Sequence, residues 1–209
     1  MKRSTKVRVI LADDHSVLRE GLALILNAMP ETTVVAQAST GEEALQLFLE
    51  HEPEVLILDL QMPGQGGLNT IKHLLRKRPA AKILVLTAYD MDEDIYRSMR
   101  AGAKGYILKD TQREELMHAI RTIASGQRYV GRAAGAKLAG RIGAPELTER
   151  ELSVLNCVAS GQANKEIADH LHITEGAVKS HVNSIMGKLG AQSRTDAAIV
   201  ALRKGIIAI

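Results

Sequence analysis

The chain has no tryptophan, one phenylalanine and four tyrosines, so aromatic residues make up only 2% of its 209 positions. Any core must be built from Leu, Ile, Val, Ala and Met. Apolar residues reach 45%, enough to fill one large domain or two ordinary ones. A single cysteine, Cys157, excludes an internal disulfide framework and a cysteine-rich zinc site. It fits a reducing compartment, and its neighbours Val154, Leu155 and Val158 mark it as a small buried residue rather than a nucleophile. No apolar run is long enough to span a bilayer. The N-terminal MKRSTKVRVILADD is basic and then apolar, but the apolar part is too short for a signal peptide and acidic residues follow at once. The expectation is a solvated tail, then a buried strand, in a cytoplasmic protein without a membrane partner.

Acidic residues are missing from two stretches. Residues 1–6 carry three Lys/Arg and residues 126–145 carry four, with no Asp or Glu in either. Residues 7–125 carry 13 Lys/Arg against 17 Asp/Glu, and residues 146–209 carry seven of each. A basic connector thus follows an acidic domain. The neutral last segment does not by its composition announce a nucleic-acid partner.

Residues 7–125 alternate two kinds of segment. VRVILA (7–12), TVVAQA (33–38), EVLILDL (54–60), KILVLTA (82–88) and KGYILK (104–109) suit strands buried on both faces of a parallel sheet. Between them run helical stripes: Leu18, Leu22, Ile25 and Leu26; Leu45, Phe48 and Leu49; Leu68, Ile71, Leu74 and Leu75; Ile95 and Met99; then Leu116, Ile120 and Ile123. Five βα units with right-handed crossovers predict an α/β fold, a doubly wound five-stranded parallel sheet. Five glycines and Pro145 make 126–145 a linker, with a short helix around Ala133–Arg141. After Pro145 the pattern is helical only, with Thr148, Thr174 and Ser193 placed as N-caps. The domains are therefore 1–125, a linker 126–145, and a smaller all-α domain 146–209.

In an open α/β sheet, ligands bind beyond the carboxyl ends of the strands. The polar residues there are Asp13 and Asp14 after the first strand, Asp59 at the third, Thr87 at the fourth and Lys109 at the fifth. A lone Asp at a strand end is usually a turn or cap residue; five such groups on one rim are a more specific signal. Clustered carboxylates repel one another and favour a hard cation with oxygen ligands, Mg²⁺. Such a site suits in-line phosphoryl transfer onto Asp59, with Lys109 pairing the phosphoryl oxygens and Thr87 donating to them. His15 at the following helix start reads as a local hydrogen-bonding residue.

The segments ILADDH (10–15), LDLQMPGQGGL (58–68), LTAYD (86–90) and AGAKGYILKD (101–110) together resemble the receiver domain of two-component response regulators across the whole of 7–125. That resemblance implies a flavodoxin-like receiver fold with Asp59 as phosphoacceptor. It implies Mg²⁺ ligation by Asp14, Asp59 and the backbone carbonyl of Gln61, with Asp13 assisting. It also implies a sensor histidine kinase or a small acyl phosphate as donor. Tyr106 matches the family's aromatic switch position and, with Thr87, would report phosphorylation on the β4–α4–β5 face. Half-buried surface packing is the other reading of that tyrosine.

Within ANKEIADHLHITEGAVKSHV (163–182), Ile167, Ala168 and Leu171 form one apolar face, His172-Ile173 make a turn, and Ala177, Val178 and Val182 pack a second helix back. Such spacing suits a helix-turn-helix and an ordinary helical hairpin equally. Residues 147–205 as a whole resemble the LuxR-type domain of the NarL/FixJ response regulators, beginning with LTERE. By that resemblance Lys179, Ser180 and Asn183 face the groove of promoter DNA, and Lys165, Lys179 and Arg194 contact phosphates, with Thr174 and Lys188 at the same surface. Arg128, Arg132, Lys137 and Arg141 of the linker add electrostatic affinity. Asn183 stands where the family often carries a basic residue, and Gly187 predicts fraying at the end of that helix. Ala198, Val200 and Ala201 of the last helix belong to a homodimer contact formed on phosphorylation, as the resemblance implies, or else to a simple C-terminal lid on the core.

Two other functions were weighed on the residues. A phosphatase or phosphotransferase working through an aspartyl-phosphate commonly needs a second Asp two positions after the nucleophile, where this chain has Gln61. A constitutive DNA binder that never uses phosphate would have no need of the carboxylate rim.

Overall fold

A computed structural model describes residues 6–88, 91–141 and 145–207. The basic tail before Lys6, the last two residues of LTAYD and the side chain of Arg141 lie outside the described residues. The chain divides into two compact units, one of residues 1–90 and 94–137, the other of residues 91–93 and 138–209.

In the first unit, β1 (Val7–Ala12), β2 (Thr32–Ala38), β3 (Val55–Leu58), β4 (Ile83–Thr87) and β5 (Gly105–Leu108) form a parallel sheet in the order β2-β1-β3-β4-β5. The helices between them are α1 (Ser16–Ala28), α2 (Gly41–His51), α3 (Gly66–Lys77) and α4 (Asp92–Ala101), and α5 (Arg113–Ala124) follows β5. The predicted strands are therefore all present. Their residues alternate between two covered faces. Val9, Leu11, Val55, Ile57, Leu84, Leu86 and Ile107 pack with Ala23 and Leu26 of α1 and with Leu116, Met117, Ala119, Ile120 and Ile123 of α5. The alternate residues Ile10, Leu56, Leu58, Ile83, Val85 and Tyr106 are equally buried and belong to the opposite face.

Two expectations are corrected here. The helical stripe assigned to α1 holds in part: Leu26 is buried and Leu22 packs on the core beside the buried Ala23, whereas Leu18 and Ile25 are 40% and 46% exposed. This helix carries apolar residues around more than one face, so spacing alone could not say which face meets the sheet. The segment 126–145 is also not all linker. A sixth strand, β6 (Tyr129–Val130), pairs in parallel with β5. The Tyr129 amide donates to the Lys104 carbonyl at 3.0 Å and the Gly131 amide to the Tyr106 carbonyl at 2.9 Å. Gly105 permits this approach, because a Cβ there would lie 2.6 Å from the Tyr129 carbonyl oxygen. Helix α6 (Arg132–Arg141) then follows, where a short helix was expected.

The second unit contains α7 (Glu149–Ala159), α8 (Asn164–Leu171), α9 (Glu175–Leu189) and α10 (Arg194–Arg203). The hydroxyls of Thr148, Thr174 and Ser193 accept the amides of Glu151, Ala177 and Asp196, as expected of N-caps. His172 ends α8 in the left-handed region at φ 53°, which turns the chain sharply into Thr174 and α9. Val154, Leu155, Cys157, Ile167, Ala168, Val178, Ile185, Ala197 and Ala201 close one core, so Cys157 is a buried free thiol. The helix α9 continues through Gly187 to Leu189 and stops at Gly190, at φ 68°. Among the described residues, no helix is long and apolar enough to cross a membrane.

Candidate functional site

Sheet order reverses between β1 and β3, so the strand ends at that switch point form an open crevice. Asp13 leaves the end of β1 and Asp59 the end of β3. The Asp59 amide donates to the Ala12 carbonyl at 2.8 Å, which carries the ladder one step past β3. Asp13 and Asp59 are 6% and 2% exposed. Lys109, one residue past β5, donates its amide to the Thr87 carbonyl at 2.8 Å. Its Nζ reaches across to lie 2.7 Å from Asp13 Oδ2 and 2.7 Å from Asp59 Oδ2. Burial opposes the ammonium, but its hydrogen bonds to Asp13 and then Asp59, with their charges, outweigh this and hold the Lys109 pKa above its ordinary value.

The loop after β3 keeps Asp59 in place. The Gln61 amide donates to Asp59 Oδ1 at 3.3 Å, so the chain turns back on the carboxylate. Gly67 then lets α3 start against that loop, since a Cβ there would collide with the Asp59 carbonyl oxygen. Thr87 and Tyr106 are fully buried. The half-buried reading of Tyr106 is therefore corrected: its ring is interior.

Asp13, Asp14, His15 and Asp59 each offer a ligand atom, all within 4.8 Å of one another. Three carboxylates against one ammonium, which contacts two of them, leave an excess of two negative charges. A divalent cation with oxygen ligands fits that donor set and that charge. His15 Nδ1 lies 2.9 Å from Asp14 Oδ1 and 3.3 Å from Asp13 Oδ1, consistent with a local hydrogen-bonding role. Reading the sequence missed Arg19, whose guanidinium donates to the Asp13 carbonyl one turn into α1.

The second unit holds the other candidate surface. On α9, Lys179, Ser180 and Asn183 are exposed along one side, and Lys165 is exposed on α8. Thr174 is exposed too, with its oxygen used as the cap of α9. Two cations expected at this surface are instead tied into the unit. Lys188 donates to Glu151 Oε2 at 2.7 Å and to the Glu146 carbonyl at 2.9 Å. Arg194 donates to Asn164 Oδ1 at 3.0 Å and the Gln162 carbonyl at 2.7 Å. Lys188 thereby joins α9 to α7, and Arg194 joins α10 to α8 and the turn before it.

Glu151 is the centre of this and was not foreseen beyond its place near a cap. It is 4% exposed and accepts from Lys188, Ser184 and the Thr148 amide. Burial raises its pKa, but the Lys188, Ser184 and Thr148 hydrogen bonds prevail and bring it down to about 2. The dimer assignment is also corrected. Ala198 and Ala201 are 8% and 0% exposed within the core, and Val200 is half-buried, whereas Ile199 between them is 44% exposed.

Comparison with known proteins finds a family match in each unit. Residues 9–121 match the family described as response regulator receiver domain, and residues 145–201 match the bacterial regulatory proteins of the luxR family. The transcriptional regulatory protein YxjL of Bacillus subtilis is 39% identical over 97% of this chain and 98% of its own length. Among solved structures, the response regulator ChrA of a heme-sensing two-component system is 34% identical over 97% of this chain and 99% of that one, with a TM-score of 0.58. RcsB of Salmonella enterica serovar Typhimurium, bound to a promoter in the presence of phosphomimetic BeF₃⁻, is 27% identical over 96% of this chain and 100% of that one, with a TM-score of 0.73. The chain therefore belongs to the NarL/FixJ-type two-component response regulators, in which a receiver domain is joined to a LuxR-type DNA-binding domain, and it is a transcriptional regulator rather than an enzyme.

Proposed function

We propose that Asp59 accepts a phosphoryl group from a sensor histidine kinase and that the adduct raises the affinity of the second unit for promoter DNA. The observation that carries this reading is the Lys109 ammonium shared between Asp13 and Asp59 at 2.7 Å each. An Asp59 oxygen attacks phosphorus in line, the donor's imidazole leaves, and the new acyl phosphate remains on Asp59. Asp13, Asp14, Asp59 and the Gln61 carbonyl would hold Mg²⁺, which when bound would supply charge neutralisation for the phosphoryl oxygens. Lys109 exchanges its Asp59 contact for a phosphoryl oxygen and stays anchored on Asp13. The Thr87 hydroxyl donates to the same group, and the buried Tyr106 ring repacks with it.

Exchange of those contacts shifts a population between two receiver states, as far as phosphate favours one of them. A homodimer is the DNA-binding form. Its contact on α10 falls to the outward Ile199 and Val200 rather than to the buried alanines. On DNA, Lys179, Ser180 and Asn183 enter the major groove, with Lys165 and Thr174 at the phosphates. Arg128 and Arg132, both exposed, add to the electrostatic attraction. RcsB supports this arrangement as a relative of the same two-part build that was captured on promoter DNA with a phosphate mimic. DNA as target and a kinase as donor place the protein in the cytoplasm.

The test is intact-mass spectrometry after incubation with a small acyl phosphate and Mg²⁺. The native chain gains the mass of one phosphoryl group and Asp59→Asn gains none. An unmodified native chain, or an adduct that survives in Asp59→Asn, contradicts the assignment.

A further inference from the structure

Between α3 and α4 the receiver has a cavity of about 380 Å³, lined by Leu68, Lys72, Arg97, Arg100 and Ala101. Leu68 and Lys72 stand one turn apart on α3, and Arg97 stands one turn from Arg100 and Ala101 on α4, so each helix turns one face to the cavity. Gly102 follows α4 at φ 111°, and a Cβ there would lie 2.6 Å from Leu75 Cδ1 of α3. Its missing side chain lets the two helices meet immediately beyond the cavity.

The charge around this cavity has one sign. Lys72, Arg97 and Arg100 line it, and no acid is among the lining residues. Helix α3 carries no Asp or Glu, and the acids of α4 stop at Asp94, one turn ahead of Arg97. The Arg100 guanidinium lies over the Tyr96 ring, 5.9 Å from its centre, a cation–π contact that holds it at the cavity. Arg97 is half-buried, and so are the apolar Leu68 and Ala101. Three cations beside an apolar wall suit a polyvalent anion with an apolar body.

We propose that this cavity binds a nucleoside diphosphate. The planar forks of Arg97 and Arg100 match phosphoryl oxygens in pairs, and Lys72 adds a point charge. The nucleoside lies against Leu68 and Ala101. The volume falls within the roughly 300–1,000 Å³ usual for small-molecule sites. The cavity shares no residue with the carboxylate rim, so it gives the receiver an input separate from chemistry at Asp59.

The experiment titrates fluorescent N-methylanthraniloyl-GDP with the full chain and reads anisotropy. EDTA is present, so that no divalent ion bridges phosphate to the carboxylates. The native chain brings the signal to a plateau. Unlabelled GDP displaces the probe, pyrophosphate does so more weakly, and guanosine does not. Arg97→Gln and Lys72→Gln each weaken binding by about tenfold, the size of a lost charge-assisted contact. Arg76→Gln removes the same charge from α3 outside the cavity and stays within about twofold, as a screened surface charge should. Lys72 is exposed, so Lys72→Gln keeps the native melting temperature and decides the matter even where Arg97→Gln is destabilised. Hydrogen exchange with GDP bound slows in α3 and in the second half of α4. No plateau at millimolar nucleotide overturns the proposal. An equal loss in Arg76→Gln does so too, because the attraction is then diffuse. Protection confined to the second unit also overturns it, since the nucleotide then sits on the DNA-facing helices. Guanosine that competes as well as GDP contradicts phosphate recognition, and pyrophosphate that competes as well as GDP contradicts a nucleoside ligand.

Discussion

Lys109 holds two carboxylates that would otherwise repel each other, and it does so at 11% exposure of its side chain. Its removal therefore has two opposite effects. In Lys109→Met the uncompensated pocket lowers stability in the absence of metal, and a divalent ion becomes the only strong neutraliser. The expected outcome is a gain of about tenfold in Mg²⁺ affinity, roughly 1.4 kcal/mol. The rise in melting temperature on adding Mg²⁺ also exceeds that of the native chain. Equal titrations for the two proteins would show that the ammonium does not tune the site. On the DNA-facing side, Lys179→Ala should weaken DNA binding uniformly across sequences and reduce the salt slope by about one unit. Lys188→Ala should instead lower thermal stability. That contrast was not legible in the sequence, because Lys179 and Lys188 look alike there. Only folding shows that the second has Glu151 as its partner, 37 positions away. The receiver residues Asp13, Asp59 and Lys109 were legible because each directly follows a short apolar strand, and strand ends must converge on one rim.

Between elements, Glu151 joins the start of α7 to the end of α9 and closes the capping box on Thr148. Its folded pKa of about 2 lies below the ordinary 4.5. The stability it contributes is therefore complete above pH 4.5 and is lost as pH falls through about 2. With Lys188 at 24% exposure, water screens part of that gain. Glu151→Gln should cost on the order of 2 kcal/mol at neutral pH. The gap between native and variant, followed by helix unfolding in urea, should close as pH is lowered towards 2. A gap that stays constant with pH would show that shape rather than charge matters at this position. Element types were mostly legible, since long stripes and apolar strands each have a period. β6 was not: two residues carry no period, and their pairing depends on the missing side chain of Gly105. The exposed face of α1 was equally hidden, because Val17, Leu18, Leu24 and Ile25 supply apolar residues on a side left partly or largely exposed.

At the scale of the molecule, the division between the two units at Lys137/Leu138 falls inside the stretch 126–145 expected as linker. A receiver truncated after residue 125 loses the two main-chain bonds to β5 and the contact of Tyr129 with His118 and Glu115. A chain ending at residue 137 should be more stable than one ending at 125 by about 1–3 kcal/mol, read as a higher melting temperature. Equal melting temperatures would mean that β6 is an accessory of the intact chain only. The two-part plan was legible from the change of period at Pro145 and from the acid-poor stretch before it.

The central claim is that chemistry at Asp59 changes what the second unit does on DNA. The most direct measurement is a promoter-DNA titration of the phosphorylated and unphosphorylated chain at one salt concentration, with oligomer mass recorded on the same samples. The account predicts tighter binding and a dimer mass for the phosphorylated chain, and neither change for Asp59→Asn treated in the same way. Identical affinity and identical mass in a chain proven to carry the phosphoryl group would contradict it.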